Sequence, residues 1–183
     1  MSKCGIIDRN DAAFIMIDIQ EKFLPVIHNI EEVINYSKIL VKSSEILGIP
    51  LVVTEQYPKG LGKTIDNMEL RNGQDIIEKI SFDCFGCDDF VESLQSLGKK
   101  TLVVFGIEAH VCVLQTCLHA IYKNYEVHLV ADAVSSRTKR NRELAIKRMR
   151  QSGVFIASTE MILFQLLKQA GTDEFKAISK LVK

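Results

Sequence analysis

The chain is expected to fold as a single α/β domain, a three-layer α/β/α sandwich on a six-stranded parallel sheet, and three observations predict it. Short apolar runs of strand length recur along its 183 residues. Each run is continuous rather than alternating, the pattern of a parallel strand covered by helices on both faces. Stretches with helical spacing separate them, so strand and helix alternate from end to end, as in a doubly wound sheet with right-handed crossovers.

Taken in order, the predicted strands are 12–18, 50–54, a weaker 76–80, 101–105, 126–131 and 153–157. The predicted helices are 30–47, 89–97, 111–123, 139–151, 161–168 and 173–183. Gly48 and Gly98 stand just past two of them, where a helix commonly stops. No repeat, low-complexity tract or linker divides the chain, so residues 1–183 are read as one domain. Its length and its 47% apolar content are enough for a full core. The longest segment without clear periodicity, 55–74, is read as a mobile or substrate-facing loop.

With 23 basic and 23 acidic residues the formal net charge is zero. No long-range field then favours nucleic acid or a membrane surface, and a small molecule is the expected partner. The first residues lack the order of a signal peptide, and no apolar run approaches the roughly 20 residues of a bilayer span. Five cysteines, an odd number, fit a reducing compartment with free thiols, and a cytoplasmic location is expected.

A parallel sheet presents the carboxyl ends of its strands on one edge, where ligands collect. Asp18 closes the run AAFIMID, and Cys112 opens a helical stretch after TLVVFG, so both belong to that edge. A thiol just inside a helix N-terminus meets free N–H groups and the helix dipole, which favour thiolate and can hold an oxyanion. The plainer alternative is a buried small hydrophobe, since free cysteine is among the most buried residue types. Asp18 either caps the turn at residues 20–21 or serves as a proton acceptor for the thiol. Lys79, at the end of the weak strand, is either a surface lysine or a charge that favours thiolate.

The segments IMIDIQEKF, KISFDCF, GIEAHVCVLQTCLHA, LVADAVSSR and GVFIASTEMILFQLL together resemble the isochorismatase-like cysteine hydrolases, a superfamily that includes nicotinamidases and N-carbamoylsarcosine amidohydrolase. The resemblance implies strand order 3-2-1-4-5-6, with Asp18 and Cys112 at the switch between strands one and four. It carries the Asp-x-Gln motif onto Asp18 and Gln20, the catalytic lysine onto Lys79 and the nucleophile onto Cys112. It also implies a cis peptide between Ile107 and Glu108, and an oxyanion hole made by the backbone N–H groups of Glu108 and Cys112. The implied reaction is hydrolysis of an amide-like C–N bond through a thioester on Cys112. A homo-oligomer is expected by the same analogy.

The chain departs from its relatives in two places. Nicotinamidases carry metal-binding Asp and His residues after the second strand, where this chain reads VTEQYPKGLG, so no metal and no cofactor are expected. Glu108 and Ala109 stand where many members have Ala-Thr, as in the subgroup of isochorismatase-domain proteins with unassigned substrates. Isochorismatases proper cleave a vinyl ether without a nucleophilic cysteine, so Cys112 points away from that reaction.

Two further readings belong to other classes. Cys84 and Cys87 form a C-x-x-C that would suit a thiol redox protein, although the other cysteines lack the spacing of a zinc site. A catalytically idle binding or scaffold member of the family is the other, since fold does not fix function. The basic run 137–150 is read as the solvated face of a helix rather than as a site for phosphate or RNA. Gln20, Phe23, Gln56, Tyr57, Glu108 and His110 are the candidate substrate contacts, and Asp132 is expected to cap the turn that follows it.

Overall fold

The computed structural model describes residues 4–183. The elements run β1 (Ala12–Ile17), α1 (Ile30–Leu47), β2 (Leu51–Gln56), α2 (Pro58–Leu61), β3 (Ile76–Lys79), α3 (Asp88–Leu97), β4 (Thr101–Ile107), α4 (Leu114–Tyr122), β5 (Glu126–Ser135), α5 (Lys139–Gln151), β6 (Phe155–Ala157), α6 (Thr159–Leu167) and α7 (Asp173–Leu181). The six strands form one parallel sheet in the order β3-β2-β1-β4-β5-β6. Helices α1, α6 and α7 pack together on one side of it, and α4 and α5 pack on the other beside the turn that opens α3.

Burial follows from that layering. Every residue of β1 and β4 is buried, which is why their sequences, AAFIMI and TLVVFGI, show no polar alternation. Phe14 and Phe105 meet edge to face across these two central strands, with ring centroids 6.4 Å apart.

Strand and helix ends differ from expectation where tertiary pairing overrides local pattern. β5 continues past its apolar run to Ser135, because beyond an irregularity it pairs again with β4, Gly106 opposite Val134 and Ile107 opposite Ser135. β2 likewise takes in Glu55 and Gln56, which pair with Glu78 and Lys79 of β3. The segment expected to be a mobile or substrate-facing loop contains regular structure: it supplies the end of β2, α2, a 3-10 turn at Asp66–Met68 and an antiparallel bridge from Thr64 to Gln20. The helix expected from residue 111 begins instead as a π-helical turn at Ala109–Val113, which passes into α4.

Gly106 stands at the switch between β1 and β4. Its φ is +118°, and a Cβ there would run into the backbone carbonyl of Ile17. Glycine is thus required both by conformation and by the close approach of the two strands. Gly106→Ala is expected to cost about 2 kcal/mol or more of stability, read as a lowered urea midpoint with unchanged slope. An unchanged midpoint would mean that the β1–β4 contact relaxes freely.

Candidate functional site

Three strand ends bring the candidate residues to one edge of the sheet. Asp18 follows β1 directly, in a left-handed conformation with φ +53°, and its amide donates to the Thr54 carbonyl at 3.2 Å. Lys79 is the last residue of β3, and Cys112 lies in the π-helical turn after β4. All three are buried, at 0%, 2% and 4% exposure.

Lys79 is the hub. Its Nζ donates to Asp18 Oδ2 at 2.7 Å and to Gln56 Oε1 at 2.8 Å, and it reaches the carbonyls of Ser81 and Phe82 at 3.4 and 3.5 Å. Thr54 Oγ1 donates to the other oxygen of Asp18 at 2.7 Å. The carboxylate is thus held by β2 and β3 together, and it does not cap the turn at 20–21, whose N-terminal residue Gln20 makes no capping bond. Cys112 Sγ lies 3.9 Å from Gln56 Oε1, the same oxygen that Lys79 holds.

Charge in this pocket is set by burial and then by partners. Burial is the largest influence on the Lys79 ammonium and works against it, but the charges of Asp18 and of the Cys84 and Cys112 sulfurs, with the Asp18 hydrogen bond, together hold the lysine pKa above its ordinary 10.5. The Cys112 pKa is also raised, with the opposite consequence for charge, since a raised pKa keeps a thiol neutral. Burial raises its pKa, the Asp18 charge raises it further, and Lys79 only partly opposes both. The helix start was expected to favour thiolate at Cys112; burial and the neighbouring Asp18 carboxylate act against that.

Gln20 and Gln56 do not point outward to a substrate. The Gln20 side chain accepts from the Gln56 amide at 2.8 Å and donates to the carbonyls of Gln56 and Gly62 at 3.0 and 2.7 Å. Gln56 Nε2 donates to the Ile80 carbonyl at 2.6 Å. Gln20 is thus a clip that fixes Gln56, and Gln56 orients its oxygen between the ammonium and the thiol. Tyr57 is half-exposed beside them, and Phe23 packs against the core with part of its surface open.

Glu108 and His110 face α5 and the loop before it. The Glu108 carboxylate accepts from Arg137 Nε at 3.0 Å and from the Arg137 amide at 3.3 Å. His110 lies 3.0 Å from Ser136 Oγ through Nδ1 and 3.3 Å from Asn141 Nδ2 through Nε2. The peptide between Ile107 and Glu108 is cis, and the Glu108 carbonyl accepts the amides of Val111 and Val113 at 3.0 and 3.3 Å.

Thr54 and Arg137 were not singled out from sequence. Thr54 sits inside an apolar run, and only the register of β1 against β2, with Ile17 opposite Thr54, aligns it with Asp18. Asp132 lies within β5 rather than at its end, and it accepts the amide and hydroxyl of Thr159 at the start of α6, not the turn that follows it.

Cys84 is buried, and burial drives its thiol up to about 12, the opposite of what a redox C-x-x-C needs. All five cysteines are free. Among the described residues no group of three or more His, Cys, Asp or Glu side chains could hold a metal ion. No helix among them is long and apolar enough to cross a membrane.

A family model described as the isochorismatase domain matches residues 12–161. The chain belongs to the isochorismatase family. It is 37% identical over 172 residues to isochorismatase domain-containing protein 1 of Danio rerio, which covers 94% of this chain and 61% of that protein. The chain thus spans about three-fifths of the length of that relative. Among solved structures, that of the MAR1 ribonuclease from Caenorhabditis elegans superposes with a TM-score of 0.90 at 36% identity, covering 96% of this chain and 91% of that one. The YcaC gene product of Escherichia coli, described as an octameric hydrolase of unknown specificity, shares the fold at a TM-score of 0.91 and 21% identity, over 99% of this chain and 92% of its own. Family membership and this structural likeness give the coarse class, an isochorismatase-like hydrolase fold.

The buried pair yields a stability prediction. Lys79→Met leaves the Asp18 carboxylate buried and unpaired and is expected to cost ~3–5 kcal/mol, whereas Asp18→Asn combined with Lys79→Met should cost less than the two single losses summed. Strict additivity in urea unfolding would contradict the pairing. Because the folded pKa of Lys79 lies above its ordinary 10.5, the lysine's contribution is complete below that pH and is lost as pH rises through the folded value. Lys79 therefore adds no pH drift in the neutral range, and its loss appears only in alkali.

Proposed function

We propose that this protein is a cysteine-dependent hydrolase that cleaves the amide-like C–N bond of a small molecule through a thioester on Cys112. One observation carries the reading: a buried ammonium–carboxylate pair, Lys79 to Asp18 at 2.7 Å, shares its Gln56 oxygen with a buried thiol. A structural core has no use for three ionisable groups in one dry pocket, and perturbed groups cluster where chemistry is done.

Asp18 acts as the base. It takes the Cys112 proton as sulfur attacks the substrate carbonyl, and the carbonyl electrons move onto oxygen. The proton transfer keeps the pocket's total charge constant, since thiol plus carboxylate becomes thiolate plus carboxylic acid beside the same ammonium. The oxyanion rests on the amides of Glu108 and Cys112. When it collapses, the C–N bond breaks and Asp18 returns the proton to the departing nitrogen. Water then gives Asp18 a proton as it attacks the thioester, and the thiolate leaves and is reprotonated. Lys79 holds Asp18 in place and stabilises each sulfur anion. No step calls for a metal or cofactor.

The name of the Caenorhabditis elegans structure makes RNA the natural second substrate to try. A thiol on a residue only 4% exposed, in a chain of zero net charge, favours a small carbonyl compound instead. The expected result is release of ammonia or amine from members of a carboxamide library. Cys112→Ala should lower turnover at least ~10³-fold, with far-UV circular dichroism unchanged. Undiminished hydrolysis by Cys112→Ala would remove the mechanism, and cleavage of RNA that ignores this substitution would replace it. Gln20→Leu should lower kcat by roughly 10–100-fold through loss of Gln56 positioning, although Gln20 never meets the substrate; wild-type kcat in that variant would contradict the clip.

A further inference from the structure

Glu108 and Arg137 form an ion pair that the proposed mechanism leaves unused. Glu108 joins β4 to the π-helical turn, and Arg137 lies between β5 and α5. The pairing of Ile107 with Ser135 brings the two chain segments side by side. The Glu108 side chain is 10% exposed, whereas that of Arg137 is 58% exposed. Both contacts, from Arg137 Nε at 3.0 Å and from its amide at 3.3 Å, fall on Oε2 of the carboxylate. Among the described residues, Glu108 Oε1 and the two Nη atoms of Arg137 take no hydrogen-bond partner.

Stability does not account for this arrangement. An ion pair with one member so open to water contributes little, and a mostly buried carboxylate that keeps one oxygen unmatched is costly. Oxyanion chemistry does not ask for it either. The Glu108 amide is an oxyanion donor in the proposed mechanism, and a negative side chain on the same residue opposes the oxyanion unless a positive group offsets it. Arg137 supplies that offset. What remains, beside the seat of the reacting carbonyl, is a matched pair of charges with one acceptor oxygen and the Nη donors still open.

We propose that Glu108 and Arg137 bind the head group of a zwitterionic substrate, a carboxamide or ureido compound with an ammonium and a carboxylate on one carbon; this rests on the reading of the pocket as an amide-cleaving site. Glu108 Oε1 takes the ammonium. The Nη groups of Arg137 take the carboxylate in the two-pronged geometry that a guanidinium favours. The signs of the charges select the class. A simple anion is repelled by Glu108 and a simple cation by Arg137, while an uncharged amide displaces water from both and returns nothing. Only a zwitterion satisfies the two together. Spacing limits its length. Cys112 lies one turn on from Glu108, in a turn closed by the Val113 amide on the Glu108 carbonyl at 3.3 Å. Head group and reacting carbonyl are thus separated by about one helical pitch, roughly 5 Å, which a short chain of a few atoms spans.

The probes are asparagine, glutamine and citrulline, each compared with its deamino analogue, an anion, and its decarboxylated analogue, a cation. Binding is measured by calorimetry on Cys112→Ala, so that the result depends neither on turnover nor on a thioester. At least one probe is expected to bind roughly tenfold or more tightly than both of its analogues. Adding Glu108→Gln should shift the preference about tenfold or more towards the deamino anion, and adding Arg137→Gln should shift it as far towards the decarboxylated cation. A folding defect or a purely structural pair cannot move the two preferences in opposite directions. Hydrolysis of the same compounds by the chain with Cys112 intact reads the thioester mechanism separately. Zwitterion binding with these shifts but without hydrolysis sustains the head-group site and removes the thioester reading. Hydrolysis of uncharged amides with no preference for any zwitterion overturns the proposal and leaves the hydrolase standing. Preferences that neither substitution changes also overturn it, as does binding of the deamino anions alone, which would make Arg137 a plain anion site.

Discussion

The site depends on one interaction, the buried ion pair between Lys79 and Asp18. Taking two charges out of water costs several kcal/mol for each, and their attraction offsets this only when the remaining hydrogen-bonding capacity is filled. Here it is filled from three strands. Asp18 comes from the end of β1, Thr54 and Gln56 from β2, and Lys79 with the carbonyls after it from β3. The ammonium thereby ties the carboxyl edges of three parallel strands together. Their register then follows from electrostatics as well as from backbone pairing. Gln20 adds the fourth tie, holding the end of β2 from the chain just beyond β1.

The same pair explains why the thiol rests protonated. A neutral pair leaves no spare positive charge to stabilise a thiolate, so burial and the Asp18 charge prevail at Cys112. In the proposed mechanism activation comes with the reaction, by passing the proton to Asp18. That leaves a thiolate beside Lys79 and no change in total charge. On the proposed mechanism such a site would be inert towards solvent between turnovers and nucleophilic only when a carbonyl is present to receive the sulfur.

Much of the architecture could be read before any coordinates, because parallel strands buried on both faces leave uninterrupted apolar runs. Strand ends were harder to read. The last residues of β5 are ADAVS, a polar-looking tail held in the sheet by β4, and the π-helical turn that carries Cys112 has no local signal distinguishing it from α-helix. For the site, Asp18, Lys79 and Cys112 are legible in motif order, but nothing in the local pattern shows how they are held. Thr54 looks like any strand threonine, and Gln56 resembles a loop residue until pairing with β3 draws it in. Gln20 and Gln56 were expected to face a substrate. Both amides are instead spent on the protein itself, since a buried amide must find partners. Glu108 and Arg137 lie 29 positions apart and meet only because β4 and β5 are neighbours.

The central claim is that the sulfur of Cys112 becomes acylated during turnover. Intact-protein mass spectrometry after acid quench, on a carboxamide substrate caught in the steady state, tests it directly. The account predicts a mass increase equal to the acyl group, located by peptide mapping on Cys112, and its absence when Asp18 is replaced by Asn. Turnover without any adduct under conditions that preserve thioesters, or an adduct on Cys84 or another residue, would contradict it.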